Sequence, residues 1–200
     1  MSRPAPGRHD RLVVAGVILG IVLVTAVVWG LAARGDDEEA KPRAPRPAPA
    51  STPLTDRARG MRLGHPPQWA VRRGGAVTRL ASPDGAVSIL VASPTSGNFT
   101  AVVRRDAERA LLRAYRPSRL VRRLPGRLGS ARVSTTEIAG TDRRRRPIRV
   151  LSVVTASRWR TYAFSVFSAV PPPAGRLIEA SRVLRSVAFF RPARALRRGP

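Results

Sequence analysis

The chain has 200 residues, of which 37 are basic and 12 acidic, and its formal net charge is +25. Such a charge directs attention to polyanions: nucleic acid, anionic lipid or acidic polymer. There is no cysteine, which excludes disulfides, thiolate metal sites and a cysteine nucleophile. Lys41 is the only lysine, and Ala, Gly and Pro are frequent, so part of the charge reflects the coding bias of a GC-rich genome. The length suits one domain with accessory segments.

Residues 12–33 form an uncharged apolar stretch in which Thr25 is the only polar side chain. A helix of this length is about 33 Å long, enough to cross a hydrocarbon core of about 30 Å. A cleaved signal peptide is the alternative, but its apolar region is normally about 7 to 15 residues long. Leu31, Ala32 and Ala33 also form a poor cleavage site. The sequence therefore predicts an uncleaved transmembrane helix.

The flanks of this helix predict its orientation. Three arginines lie in residues 1–11, whereas Arg34 is followed at once by four acidic residues. Basic residues favour the cytoplasmic side, although Lys41, Arg43 and Arg46 weaken the contrast. We expect a single-pass protein of the cell membrane, with residues 1–11 as a short cytoplasmic tail and the C-terminal domain outside the cytoplasm. Nucleic acid is not expected as a partner of a domain so placed.

Residues 34–56 contain an acidic cluster followed by a proline-rich run. Dense proline favours extended polyproline II structure of about 3.1 Å per residue, which acts as a stiff spacer. The segment is therefore predicted to be a linker, with a proline-rich ligand for a partner domain as the alternative.

Residues 57–190 show the patterns of a folded domain. The turn sequence of residues 82–85, Ser-Pro-Asp-Gly, favours a type I turn between two strands, and Val87, Ile89 and Val91 alternate along the second. Residues 101–115 are predicted to form an amphipathic helix, and Asn98 or Thr100 could cap its start. The apolar face of this helix consists of Val103, Ala107, Ala110, Leu111 and Ala114.

Three further strands and a second helix follow in the sequence. The strands are predicted at about 131–139, 147–156 and 160–169, and the last two are joined by a short hairpin. The helix is predicted at about 174–187, with one apolar stripe of Leu177, Ser181, Leu184 and Val187. Residues 191–200 read as a basic tail. This order predicts an α+β fold: an antiparallel sheet with helices packed on its faces as an α/β/α sandwich.

Two stretches resemble PsbP-like domains, the superfamily of the photosystem II extrinsic protein PsbP. The first is "MRLGHPPQWAV" with "VTRLASPDGAVSILVAS", and the second is "TYAFSVFSAVPPPAGRLIEASRVLRSVAFF". The resemblance covers about residues 61–190 and includes no single diagnostic motif. It implies an antiparallel sheet between helices that is used mainly to bind other proteins, without shared catalytic residues. The chain lacks the cysteine of lipoprotein relatives and carries far more arginine than typical members.

Catalytic groups are few in the predicted domain. It contains His65, which we expect in a loop, and six carboxylates: Asp84, Asp106, Glu108, Glu137, Asp142 and Glu179. No hydrolase, zinc-protease or phosphate-binding-loop motif is present. We therefore predict no enzyme activity, no cofactor and no metal site. Trp69 and Trp159 could stack on carbohydrate, but core packing for the first and a place on the hairpin surface for the second are the favoured interpretations.

The remaining chemistry belongs to arginine. Between residues 57 and 190 there are 26 arginines and six acidic residues, and the densest runs are 113–127 and 143–146. The candidate anion-binding residues are Arg119, Arg122, Arg123, Arg143, Arg144, Arg145 and Arg146. A solvated turn in an arginine-rich proteome is the competing interpretation of the second run. Each basic group near an anionic surface would contribute about 1 kcal/mol, fading within about 8 Å at physiological salt.

Together these features predict a membrane-anchored binding or scaffolding domain without catalytic activity, which recognises a protein partner of the cell envelope. One alternative is electrostatic docking onto anionic lipid or a cell-wall polymer. The other is nucleic-acid binding, which would require the opposite membrane orientation.

Overall fold

The computed structural model describes residues 51–75 and 77–193. The predicted transmembrane helix at 12–33, the cytoplasmic tail at 1–11, most of the linker and residues 194–200 lie outside the described part. Within the described part, neither helix is long and apolar enough to cross a bilayer.

The described residues form ten strands and two helices. In chain order these are β1 (Thr52–Asp56), β2 (Met61–His65), β3 (Ala70–Gly74), β4 (Val77–Ala81), β5 (Val87–Ser96), α1 (Thr100–Ala114), β6 (Arg119–Leu128), β7 (Ala131–Thr141), β8 (Pro147–Ala156), β9 (Arg160–Ala169), α2 (Ala174–Arg185) and β10 (Ala188–Phe189).

Seven strands form one large antiparallel sheet in the order β3-β4-β5-β9-β8-β7-β6, and the other three form a small sheet in the order β1-β2-β10. The turn between β4 and β5 has the predicted form: Gly85 N–H donates to Ser82 O at 2.9 Å, and Gly85 has φ +66°, which glycine adopts without strain. The predicted hairpin between β8 and β9 is also present. The predicted α+β class is confirmed.

The large sheet is covered on both faces. Val87, Ile89 and Val91 of β5 join one core with α2 and the small sheet, whereas Leu90 and Ala92 join a second core with α1. We call these sides the α2 face and the α1 face. Because β5 is buried on both faces, the alternation seen in the sequence distinguishes two cores and not a core from solvent.

The two helices use their predicted faces to different degrees. Four of the five predicted residues of α1 are buried, and Ala114 is half-buried. On α2 the buried residues are Ala180 and Val183, while Leu177 and Leu184 pack at the margin. The buried face of α2 is therefore rotated from the predicted stripe toward Ala180 and Val183, while Val187 of that stripe is buried just beyond the end of the helix.

Five strands lie where the sequence analysis predicts none, namely β1, β2, β3, β6 and β10, and two of them change the interpretation of the sequence. β1 occupies the last five residues of the predicted linker and pairs with β2, so the folded domain begins at Thr52 and not at residue 57. β6 runs through the arginine-rich segment and pairs only with β7, as the outer strand of the large sheet. Pro125 is tolerated there because one side of an edge strand has no partner strand.

Candidate functional site: the arginine end of the sheet

The tip of the β7–β8 hairpin is organised by Asp142. Its Oδ1 accepts hydrogen bonds from the backbone N–H groups of Arg144 at 2.8 Å and Arg146 at 2.9 Å. Its Oδ2 accepts from Arg146 Nε at 3.0 Å. Such local bonding is what favours aspartate in turns. The turn is closed by Arg145 N–H, which donates to Asp142 O at 2.9 Å.

The four consecutive arginines of this tip are therefore not equivalent. Arg146 is half-buried and forms an ion pair with Asp142, whose side chain is 8% exposed. Arg143, Arg144 and Arg145 are exposed. The single carboxylate of the turn thus pairs with Arg146, and the other three guanidinium groups lie at the exposed tip.

Arg119 lies at the same end of the large sheet as this tip. In the strand register Arg119 is opposite Ala139 and Ala139 is opposite Arg149, while Thr141 and Pro147 close the hairpin two residues further on. Arg119 is the first residue of β6 and is exposed. We use "arginine end" for Arg119 together with residues 143–146.

Arg122 lies further along β6 and is engaged by Glu137. Arg122 Nε is 2.7 Å from Glu137 Oε2, and Arg149 Nη1 is 3.0 Å from Glu137 Oε1. The Glu137 side chain is 4% exposed, so this is a buried carboxylate held between two half-exposed guanidinium groups. Arg149 is not among the sequence-predicted residues, although its place in the alternation of β8 puts it on the same face as Glu137.

Arg123 also forms an ion pair, on the opposite face of the sheet. Its Nη2 lies 3.3 Å from Glu108 Oε2 of α1, and Thr136 Oγ1 donates to Glu108 Oε1 at 2.7 Å. Arg122 and Arg123 therefore tie β6 to β7 and to α1. Five of the seven predicted residues lie at the arginine end, where Arg146 is ion-paired, and the other two, Arg122 and Arg123, form ion pairs further along β6.

Most carboxylates of the described residues are neutralised in the same way. Six of the seven form ion pairs with arginine: Asp56, Asp84, Glu108, Glu137, Asp142 and Glu179. No group of three or more His, Asp or Glu side chains in residues 51–75 and 77–193 is placed to hold a metal.

One of these ion-pair networks involves Trp69. Its Nε1 donates to Glu179 Oε2 at 2.8 Å, and Arg176 bridges Glu179 at 3.1 Å and Asp84 at 2.8 Å. Burial alone would raise the pKa of the Asp84 carboxyl, but hydrogen bonds from Ser82, Arg176 and the Ala86 N–H lower that pKa below its usual value. Trp69 is 3% exposed and belongs to the core, as predicted.

His65 and Trp159 offer no binding surface of their own. His65 ends β2 and is buried, with Nδ1 2.8 Å from Pro66 O, so the expectation of a loop residue is wrong. The reason is that β2 extends up to the Pro66-Pro67 pair, where strand pairing stops. Trp159 lies in the β8–β9 turn and is half-buried, in keeping with the predicted place on the hairpin.

The first described strand begins beside the C-terminal end of α2. Thr52 is opposite His65, and the neighbouring Gly64 N–H donates to Ser186 Oγ at 2.8 Å. Two residues before Ser186, Leu184 O accepts from the Gly129 N–H of the β6–β7 turn at 2.9 Å, and this turn lies at the end of the large sheet opposite the β7–β8 tip. The segment upstream of residue 51 therefore leaves the described domain away from the end that carries the exposed arginines.

Comparison with known proteins adds two distant structural similarities. No family model and no curated protein matches the chain. A crystal structure from Bacteroides thetaiotaomicron matches over 68% of this chain with a TM-score of 0.47 and 14% identity, and this chain spans about half, 47%, of that protein. The solution structure of cyanobacterial PsbP from Synechocystis sp. PCC 6803 matches over 75% of this chain and 98% of its own, with a TM-score of 0.45 and 13% identity.

The second match is to a member of the superfamily that the sequence resembles. The likeness concerns the arrangement of sheet and helices and does not address membrane anchoring or partners. In chemical terms, the geometry offers exposed guanidinium groups at one end of the sheet and carboxylates that are already paired. Such a surface attracts anions by charge and hydrogen bonding.

Proposed function

We propose that the protein is a membrane-anchored, non-catalytic binding module whose arginine end docks on a surface of anionic lipid. The observation that supports this proposal most directly is that four exposed arginines, Arg119 and Arg143 to Arg145, lie at one end of the large sheet. A membrane helix at residues 12–33 would hold the domain close to the bilayer, and the linker would let the arginine end turn toward the lipid.

The expected strength of this docking follows from the number of charges. Each basic group close to an anionic membrane contributes about 1 kcal/mol, and the attraction fades within about 8 Å at physiological salt. Four exposed arginines at one end would then contribute about 4 kcal/mol, or roughly a thousandfold in the binding constant. Docking should therefore be salt-sensitive.

The linker is long enough for this arrangement. Because β1 begins at Thr52, the segment between the predicted helix and the domain is residues 34–51. At about 3.1 Å per residue, these 18 residues span at most roughly 56 Å as polyproline II. The domain can thus reach the bilayer surface. The salt concentration and the fraction of anionic lipid would then set the balance between docked and released positions.

Absence of catalysis is proposed from the state of the carboxylates. General acid or base catalysis needs a side chain that can reach a proton of the substrate. Six of the seven carboxylates in the described residues are engaged in ion pairs with arginine, and His65 is buried with its Nδ1 against the Pro66 carbonyl. The chemistry that remains at the surface is that of arginine.

The test is vesicle binding by a fragment of residues 51–193, with folding checked by circular dichroism. Vesicles of phosphatidylglycerol and phosphatidylcholine should bind the fragment at low salt and release it above about 0.5 M salt. The triple variant Arg143→Gln, Arg144→Gln, Arg145→Gln should lose at least tenfold in affinity.

A matched control removes the same charge elsewhere. Arg104, Arg105 and Arg109 are exposed on α1, away from the arginine end. Replacing these three by Gln should weaken binding at most about twofold. Equal losses in the two triple variants would show that only net charge matters and would contradict the proposed orientation.

A protein partner is the second candidate, because apolar side chains are exposed beside the arginine end. Leu120 is 38% and Val121 41% exposed, next to a register shift of the edge strand β6. Edge strands with exposed apolar residues pair readily with other chains. Capture of one defined partner that survives high salt and is lost in Val121→Asp would favour this candidate over lipid docking.

A further inference from the structure

Arg79 is a buried arginine, and two of its three side-chain nitrogens have no hydrogen-bond partner in the described residues. It lies in β4, on the α1 face of the large sheet, opposite Leu90 of β5 and Arg72 of β3. The residue is 5% exposed, and its Nε and Nη1 are buried without any hydrogen-bond partner. Arginine is almost never buried to this extent unless it is paired.

The surroundings of Arg79 oppose its charge. Burial lowers the pKa of Arg79 below its usual value, the positive charge of Arg72 lowers it further, and only Tyr115 acts in the opposite direction. No carboxylate contributes. A buried charge with unmade hydrogen bonds is costly, so the folded chain holds a guanidinium group at a position where an anion would be strongly favoured.

A second unpartnered donor lies nearby on the same face. Ser88 of β5 is fully buried, and its Oγ has no hydrogen-bond partner. The register places Ala81 opposite Ser88 and Arg79 opposite Leu90, so Arg79 and Ser88 are diagonal neighbours on adjacent strands. Diagonal positions of this kind are about 7 to 8 Å apart at the backbone, within reach of a long side chain.

We propose that Arg79 and Ser88 form a binding site for a small oxyanion, a phosphate or carboxylate group, with exposed Arg72 at its outer side. A guanidinium group offers two edges to an oxyanion, Nε with Nη2 and Nη1 with Nη2. Each edge of Arg79 includes one of the unpartnered nitrogens. The site lies toward the β3 edge of the sheet, whereas the arginine end belongs to β6, β7 and β8, so the two are independent.

The test uses the full-length protein in detergent and measures its thermal unfolding in 10 mM inorganic phosphate or citrate against chloride of equal ionic strength. A ligand that binds only the folded state raises the melting temperature. We expect wild-type protein to gain about 3 °C or more in at least one of the two anions. Arg79→Met, which keeps the length of the side chain without its charge, should lose that gain.

Two further variants separate the site from general charge effects. Arg104→Met removes one charge from an exposed position on α1 and should retain the gain. Arg72→Gln changes only an exposed side chain, so it should fold even if Arg79→Met does not, and it should weaken anion binding several-fold. The proposal is overturned if neither anion stabilises wild-type protein, if Arg79→Met keeps the full gain, or if Arg72→Gln binds phosphate and citrate as wild-type protein does.

Discussion

The large sheet contains two buried charged residues, and only one of them has partners of opposite charge. Glu137 of β7 is held by two arginines, Arg122 and Arg149, at 2.7 and 3.0 Å. Arg79 of β4 has two buried nitrogens without a partner. The difference follows from composition: with 26 arginines and six acidic residues between residues 57 and 190, a carboxylate readily finds a partner, whereas an arginine often does not. In this protein an unpaired acid would be unusual, whereas a buried arginine with unpartnered nitrogens is the group that the proposed anion would bind.

The largest effect on stability is expected from removing the charge of Glu137, the buried residue that is ion-paired. Glu137→Gln should lower the free energy of unfolding by about 2 kcal/mol, because Arg122 and Arg149 would then face each other without the charge between them. Urea denaturation would measure the change. Glu108→Gln is the matched control, since Glu108 pairs with a single exposed arginine at 3.3 Å, and about half the effect is expected. An unchanged midpoint for Glu137→Gln would show that the buried pair contributes nothing.

Removing the charge of Arg79 should change the free energy of unfolding in the opposite direction. In chloride buffer without phosphate or carboxylate, Arg79→Met should raise the free energy of unfolding by about 1 to 2 kcal/mol, because an apolar side chain replaces a buried charge that has no partner. The same urea denaturation applies. Destabilisation of similar size by Arg79→Met would mean that Arg79 is already satisfied in the folded protein, and the contrast with Glu137 would disappear.

Arg176 shows the reverse of the Glu137 arrangement. It is one arginine that forms ion pairs with two acids, Asp84 and Glu179. The pKa of Asp84 is lowered on folding, so the stability it contributes is present above pH of about 4 and is lost as the pH falls through its folded-state pKa. Asp84→Asn should cost under about 1 kcal/mol at pH 7 and nothing near pH 2, because Asp84 is partly exposed. Arg176→Gln should remove part of the same pH-dependent difference. A difference between wild type and Asp84→Asn that is constant with pH would contradict this assignment.

The smallest effect on stability is expected at the exposed tip. Replacing Arg143, Arg144 and Arg145 together by Gln should change the free energy of unfolding by less than about 0.5 kcal/mol, since substitutions of exposed surface side chains usually change stability little. Urea denaturation and vesicle binding measured on the same preparation would separate the two roles. A loss of stability equal to that of Glu137→Gln would place these arginines among the structural ion pairs.

The elements with clear apolar periodicity were predictable from the sequence. Strands β7, β8 and β9 and both helices lie within a few residues of their predicted limits. The residues that alternate on β9 are buried in two separate cores, which the sequence pattern does not reveal because both faces carry apolar side chains. Packing against two different partners is a tertiary property.

The sequence predicted neither the strand β6 nor the burial of Arg79, and the reasons are related. The sequence of β6, RLVRRLPGRL, places arginine on both faces and contains Pro125 and Gly126, so it shows no apolar alternation. Its stability as a strand comes from nine paired positions with β7. Arg79 looks like a solvent-facing residue of a half-buried strand, and its burial depends on neighbouring strands and on α1. The predicted arginine end could be located by density of charge, but only the register shows that Arg119 joins it.

The outer strands of the large sheet also govern how copies of the chain meet. β3 and β6 each leave one side without a neighbouring strand. Along β6 stand four arginines and a proline, so two copies aligned edge to edge would bring eight guanidinium groups into one narrow strip. Mutual repulsion and the missing N–H of proline would then oppose fibril-like pairing of two copies along this edge.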